Sequence, residues 1–328
     1  MDIELLPGLS GRRLEQWTAL LEQAGLIPDR QVDTTLLIWE DEELIATGSR
    51  LGNLLKCIAV SSNHQGEDLT ATVLTHLRQD ALMAGHGHLF LYTKPKNKLM
   101  FSSLFFYPIA ETDSVLLMEN KPKGITEFLD SLPVSPGSGT VGAIVMNCNP
   151  FTKGHRYLIE TAARDCDHLY IFVLSEDKSH FRAEDRMAMA KAGTADLANV
   201  TVLPTGPYLI SSATFPTYFL KEQAKIQHVQ CELDVAVFEK YYAPKFGITK
   251  RYVGTEPFCG VTAQYNEALE RLLPEQGIAL CQIPRLESGN TPISASAVRE
   301  LLSAGDREAI ASLVPKTTYD YLLEHNLS

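Results

Sequence analysis

The sequence predicts an α/β protein in two parts: an α+β first half with mainly antiparallel pairing, then a half built on a parallel sheet. Three observations carry this reading. After residue 140, short and nearly all-apolar runs recur as VGAIVM, HLYIFVLS, VTVLPT, KRYVGT and IALCQIP, each followed by enough chain for a helix. Apolar runs alternating with helices indicate parallel strands covered on both faces. Earlier, TTLLIWEDEELIATGSRLGNLLKCIAV reads as successive antiparallel strands broken by acidic and Gly-containing turns. Between the halves, SLPVSPGSGT (Ser131–Thr140) holds two Pro, two Gly and three Ser in ten residues, the composition of an exposed connector. The expected domains are residues 1–132 and 141–328, joined by a linker at 133–140.

In order along the first half, LEQWTALLEQAGL places Leu14, Trp17, Leu20, Leu21 and Leu26 at helical spacing. The three-strand stretch follows. LTATVLTHLRQDALMAG is an amphipathic helix closed by Gly85. HLFLYT is a strand, KLMFSSLFFYPIAET runs from a short helix toward another, and DSVLLME closes the set. A last short helix, ITEFLDSL, leads into the connector.

Bulk properties exclude several classes. The 328 residues are enough for two cores, and 45% apolar with 21% charged is ordinary for a globular chain. A net charge of −11 argues against a general nucleic-acid binder, because phosphate backbones are gripped by Lys and Arg. No apolar run approaches the ~20 residues that span a bilayer, and the N-terminus has no signal-like apolar core. Six scattered cysteines without a CxxC pair predict reduced, mostly buried thiols and a cytoplasmic location, with no membrane partner.

The chemistry gathers in the second half. The first apolar strand runs directly into NPFTKGHRYLIE (Asn149–Glu160). In an open α/β sheet, ligands bind at the carboxyl ends of the strands, by this first βα turn. Asn149, Pro150 and Phe151 would form the turn, and Gly154 would let backbone approach a ligand closely. Leu158, Ile159, Ala162, Ala163 and Cys166 supply the buried stripe of the following helix. His155 then stands at the helix start, where free N–H groups and the dipole favour an anion. It is either a polar helix-start residue or a phosphate ligand. A second cradle is TPISASAVRELL (Thr291–Leu302), where Ser294 or Ser296 caps a helix and Arg299 follows in its first turn. Neither a dinucleotide fingerprint nor a Walker loop is present.

TKGH resembles the HxGH element of the nucleotidyltransferase superfamily, with Thr152 in place of the first His, and ISASAVR resembles its ISxSxxR element. More closely, NPFTKGHRYLIE, GPYLISSATFPTYFLK, YVGTEPFCGVTAQYNEAL and IPRLESGNTPISASAVR are together similar to the citrate lyase ligase family. That resemblance implies a Rossmann-like nucleotidyltransferase domain and an ATP-dependent ligase. It would acetylate the thiol of the CoA-like prosthetic group on the citrate lyase acyl carrier protein. Acetate would attack the α-phosphate of ATP, giving acetyl-adenylate, and AMP and pyrophosphate would be released. On this resemblance His155 and Thr152 contact the α- and β-phosphates, and Lys153 adds positive charge. Ser294, Ser296 and Arg299 hold the β- and γ-phosphates, with Mg²⁺ screening the triphosphate. Gly254, Glu256 and Pro257 would surround the adenosine. Arg182 and Arg186 would reach phosphate or acetate, or form structural ion pairs.

In the first half, CIAV followed by SSNHQGEDLTATVLTHLRQDA resembles the strand–turn–helix of GNAT-fold acetyltransferases. Gln65 starts the turn, but Asp68 and Thr70 stand where small residues grip a CoA pyrophosphate. A GNAT-like domain that docks the CoA-like arm or the carrier protein, or one that is only structural, is therefore expected. Two other functions share both cradles: an adenylyltransferase joining AMP to a phosphate ester of the pantetheine phosphate or nicotinamide mononucleotide type, and a non-catalytic nucleotide sensor.

Overall fold

The computed structural model describes residues 1–135, 139–176, 179–209, 215–219, 226–255, 260–289 and 291–327. They divide into two compact units, Met1–Gly124 with Phe215–Leu233, and Ile125–Thr214 with Asp234–Ser328. The helix before the connector thus groups with the second unit, and a segment beyond residue 214 groups with the first.

The first unit is a seven-stranded sheet: β1 (Asp2–Leu6), β2 (Thr34–Glu40), β3 (Glu43–Leu51), β4 (Leu54–Val60), β5 (Phe90–Thr93), β6 (Tyr107–Glu111) and β7 (Leu116–Glu119), in the order β1-β2-β3-β4-β5-β7-β6. Every neighbouring pair is antiparallel except β4 and β5. This is the α+β architecture with mainly antiparallel pairing that the sequence predicts. Helices α1 (Gly11–Gln23), α2 (Leu69–Met83) and α3 (Lys98–Ser103) complete the unit. Leu36, Ile45, Leu55, Val73, Leu77, Leu91 and Phe106 share its core. Gly48 is obligatory there, because a Cβ would come within 2.5 Å of Val73 Cγ1. Strand β1 was not expected. Of its three apolar residues Ile3 and Leu5 are exposed and Leu6 is half-buried, so DIELL carries no buried face to betray it.

Helix α4 (Gly124–Asp130) precedes the second sheet. That sheet is β8 (Val141–Met146), β9 (His168–Val173), β10 (Val200–Pro204), β11 (Lys250–Gly254) and β12 (Ala279–Ile283), in the order β10-β9-β8-β11-β12. All its pairs are parallel, as the apolar runs require. The strand order reverses between β8 and β11, and such a switch point leaves a crevice at the carboxyl ends of the strands. The helices of this unit are α5 (Lys153–Arg164), α6 (Ala183–Ala192), α8 (Ala243–Phe246), α9 (Gly260–Glu275), α10 (Ala295–Ala304), α11 (Arg307–Leu313) and α12 (Lys316–Glu324), and α7 (Ile226–Val237) divides between the units at Leu233. Ile144, Phe151, Ile159, Ile171, Met189, Val298 and Leu302 form the core, with Met187 packed against it. Among the described residues no helix is long and apolar enough to cross a membrane. Cys57 and Cys148 are buried and unbridged, and burial pushes the Cys57 thiol up to about 11, the inert state expected of these thiols.

Candidate active site

Thr152 is the N-cap of α5, with extended backbone at φ −114° and ψ 168°. Its hydroxyl accepts from the N–H of His155 at 3.3 Å, and its own N–H donates to His155 Nδ1 at 3.0 Å. This is a capping box with His in the place usually taken by Glu or Gln. The reciprocal bond has a chemical consequence. Nδ1 must keep its lone pair to accept, so the proton of the neutral ring sits on Nε2. Burial and the Arg285 guanidinium push the imidazole down to about 4, so it is neutral at pH 7. Phe151, fully buried, stacks on the ring at 5.8 Å and 21°, and is itself seated against Gly193, where a Cβ would meet it at 2.3 Å. The histidine at the helix start is a fixed, neutral hydrogen-bond donor.

The second cradle meets the first. Ser294 caps α10 by accepting from the N–H of Ala297 at 3.1 Å. Arg299 donates from Nη2 to Ser296 Oγ at 2.9 Å and from Nη1 to the Asn149 carbonyl at 2.6 Å. The loop before α10 also presses on α5, since a Cβ on Gly154 would lie 3.0 Å from the Ile293 carbonyl. Gly154 therefore lets protein backbone, rather than a ligand, come close. One cleft of about 780 Å³ results, lined by Thr152, Gly154, His155, Gly254, Ser294 and Ser296 among others. Two helix N-termini open on it, each with N–H groups that have no partner within their helix.

Other expected ligands are placed differently. Lys153 donates to the carbonyls of Ala311 and Ser312, at 3.3 and 2.7 Å, and so caps the C-terminus of α11. Residues two apart on a helix point about 200° apart, so His155 facing the cleft turns Lys153 away. Asn149, Pro150 and Phe151 are buried and frame the turn without lining the cleft; Asn149 Oδ1 accepts from the N–H of Phe181 at 3.0 Å. The Thr152 side chain lines the cleft but is only 1% exposed and is committed to the cap. Arg299 acts on the turn and on Ser296 from beside the cleft. Arg186 is fully buried, donating to the carbonyls of Phe181, Asn147, Leu174 and Glu176 and to Asn147 Oδ1, so it clamps strand ends together. Arg182 is exposed beside Glu184. Glu256, Pro257 and Cys259 lie outside the described residues.

Sequence reasoning missed Arg285, Tyr265 and Asn266, which also line the cleft. Arg285 Nε donates to the Thr255 carbonyl at 3.0 Å, and Asn266 Nδ2 to the Gly254 carbonyl at 2.9 Å. Tyr265 joins Asp234 and Arg251, whose Nη2 lies 3.1 Å from Asp234 Oδ2 and 2.9 Å from the phenol oxygen. A buried Arg inside the apolar strand KRYVG was the one signal of this cluster in the sequence. At Gly254 an added Cβ would meet only Arg285 Cγ, at 3.8 Å, so packing leaves room there. No carboxylate is found among the described residues lining the cleft, and no group of His, Cys, Asp or Glu among the described residues is placed to hold a metal.

The first unit has its own cavity, of about 730 Å³. Strands β4 and β5 pair only at Leu54–Phe90 and Leu55–Leu91. Beyond that point Ile58–Ser61 of one side and Tyr92–Lys94 of the other line the opening, with Gln65, Gly66, Asp68 and Thr70 at the turn. Asp68 is exposed at the start of α2 in left-handed conformation, φ 55°, and its side chain makes no cap bond. A carboxylate at this helix start disfavours a pyrophosphate there.

Known proteins bear on both units. The family described as citrate lyase ligase C-terminal domain matches residues 141–322. Proteins named [citrate [pro-3S]-lyase] ligase are 42% identical in Escherichia coli (strain K12), over 96% of this chain and 92% of theirs, and 40% identical in Klebsiella pneumoniae, over 95% and 93%. Among solved structures, Escherichia coli ElaA covers 37% of this chain and 100% of its own at 17% identity and TM-score 0.33. Thermotoga maritima TmcAL bound with alpha-thio ATP covers 57% and 56% at 15% identity and TM-score 0.36.

Proposed function

The chain belongs to the citrate lyase ligase family, and from that premise we propose that its second unit activates acetate on ATP for transfer to the lyase's carrier protein. The observation that carries the reading is the 2.6 Å bond from Arg299 to the Asn149 carbonyl, which brings both helix starts to one cleft. An acetate oxygen attacks the α-phosphorus, the bond to the bridging β-phosphate oxygen breaks, and pyrophosphate leaves. A thiolate then attacks the acyl carbon, and AMP departs with the acetate oxygen. Displacement at phosphorus needs alignment and charge stabilisation and no protein nucleophile.

In this scheme the Nε2–H of His155 donates to the α- or β-phosphate as charge builds on the leaving oxygen. Thr152 acts through the ring it orients. Ser294, Ser296 and the α10 N-terminus hold the β- and γ-phosphates, and Gly254 leaves space beside the adenosine. With no carboxylate among the described lining residues, Mg²⁺ would arrive as MgATP, held by phosphate oxygens and water. Pyrophosphate release should depend strictly on acetate and not on phosphate esters. Turnover with pantetheine phosphate or nicotinamide mononucleotide would overturn the reading in favour of an adenylyltransferase, and binding without turnover in favour of a sensor.

The cavity of the first unit suits the pantetheine part of the CoA-like arm: a narrow opening with strand-edge peptide groups and polar Ser61, Thr93 and Asn97. Ala71 lines it and is half-buried, so Ala71→Trp fills it with little strain on the core. Acetyl-adenylate formation, read by hydroxylamine trapping, should stay within about twofold, while transfer to the carrier thiol falls roughly tenfold or more. Normal transfer by this variant would remove the docking role.

A further inference from the structure

We propose that Arg285 is the cationic side chain that grips the triphosphate, a part that the family resemblance gives to Lys153 and Arg299. The inference rests on the cleft being an ATP site. Apart from His155, Arg285 is the one basic side chain among the described residues lining it. Lys153 donates to the C-terminal carbonyls of α11 and Arg299 to the Asn149 carbonyl of the α5 turn, and neither lines the cleft. A triphosphate brings about four negative charges at neutral pH, and two helix N-termini supply only about half a charge each. A guanidinium matches phosphate oxygens in pairs, and here its Nε bond to Thr255 fixes the plane of the fork at the mouth of β11. Burial first and the Arg285 guanidinium second hold the His155 imidazole neutral, as fits two groups that line one cleft.

Arg285 follows β12 in the loop leading to the hairpin Glu287–Ser288 with Thr291–Pro292, which delivers Ser294 and Ser296. It also bonds the Thr255 carbonyl and packs at Gly254, so separate phosphate and nucleoside probes decide which part of ATP it reads.

The test is competition binding to the full-length protein with inorganic pyrophosphate and with adenosine as separate probes. In Arg285→Met, pyrophosphate and ATP affinity should fall roughly 10- to 100-fold, as expected for loss of a charge-assisted pair. Adenosine affinity should stay within about twofold, and Arg285→Lys should recover part of the pyrophosphate affinity. Equal losses for both probes would mean a structural arginine, and unchanged pyrophosphate affinity would mean one that does not touch phosphate; either overturns the proposal. If the unsubstituted protein binds neither ATP nor pyrophosphate, the site assignment fails before Arg285 is at issue.

Discussion

His155→Ala is expected to slow acetyl-adenylate formation by roughly 10²–10³, while ATP affinity falls far less. The asymmetry follows from the capping box. The ring is held before substrate arrives, with Nδ1 accepting at 3.0 Å and Phe151 stacked behind it. Its Nε2–H therefore strengthens its bond as charge develops on the bridging oxygen, without reorganisation. The substitution also removes one of two reciprocal cap bonds, an effect of about 1 kcal/mol on the helix. His155→Gln separates the two losses, because Gln at this position is a regular capping-box partner. It should restore thermal stability and leave adenylation slow. Adenylation at the normal rate in His155→Ala would end the imidazole's role. The sign of the pH effect also follows. A folded-state pKa lowered to about 4 means that, as pH falls from the unfolded value near 6.5, the unfolded chain takes up a proton that the folded ring refuses. The ring thus costs stability on the acid side and contributes none of that cost above pH 6.5.

Arg186→Met should be the most destabilising substitution in the second unit, by about 3 kcal/mol or more. The side chain is fully buried, and its loss strands the carbonyls of Phe181, Asn147, Leu174 and Glu176 in low dielectric without a shared donor. Met keeps the aliphatic part of the side chain but ends short of the guanidinium, so the loss combines unsatisfied carbonyls with a small cavity. Chemical denaturation would measure it. A midpoint equal to that of the parent protein would show that water replaces the guanidinium at no cost.

The parallel sheet was legible because β8 and β9 are buried on both faces, and such strands read as uninterrupted apolar runs. The cleft's two helix starts were legible for a related reason: Thr152 and Ser294 are capping residues directly ahead of amphipathic helices. What the sequence could not resolve is direction around those helices. Lys153 was a ligand by resemblance, standing one residue before Gly154, yet one step past the N-cap it points to α11. Arg285 was invisible because its loop has no periodicity and its relation to α5 is purely tertiary. Arg186, suspected of reaching phosphate, sits one turn beyond exposed Arg182, and only packing decides which of the two goes inside. In the first unit, the turn at Gln65–Thr70 was recognisable although Asp68 departs from the pattern. The grouping of Phe215–Leu233 with that unit has no local signature at all.

Acetate labelled with ¹⁸O in both oxygens tests the central claim most directly. During acetylation of the carrier thiol, one labelled oxygen should appear in the phosphate of AMP, with none in pyrophosphate. Label in pyrophosphate or inorganic phosphate, or unlabelled AMP from productive turnover, would show that acetate does not attack the α-phosphorus in the cleft between His155 and Ser294.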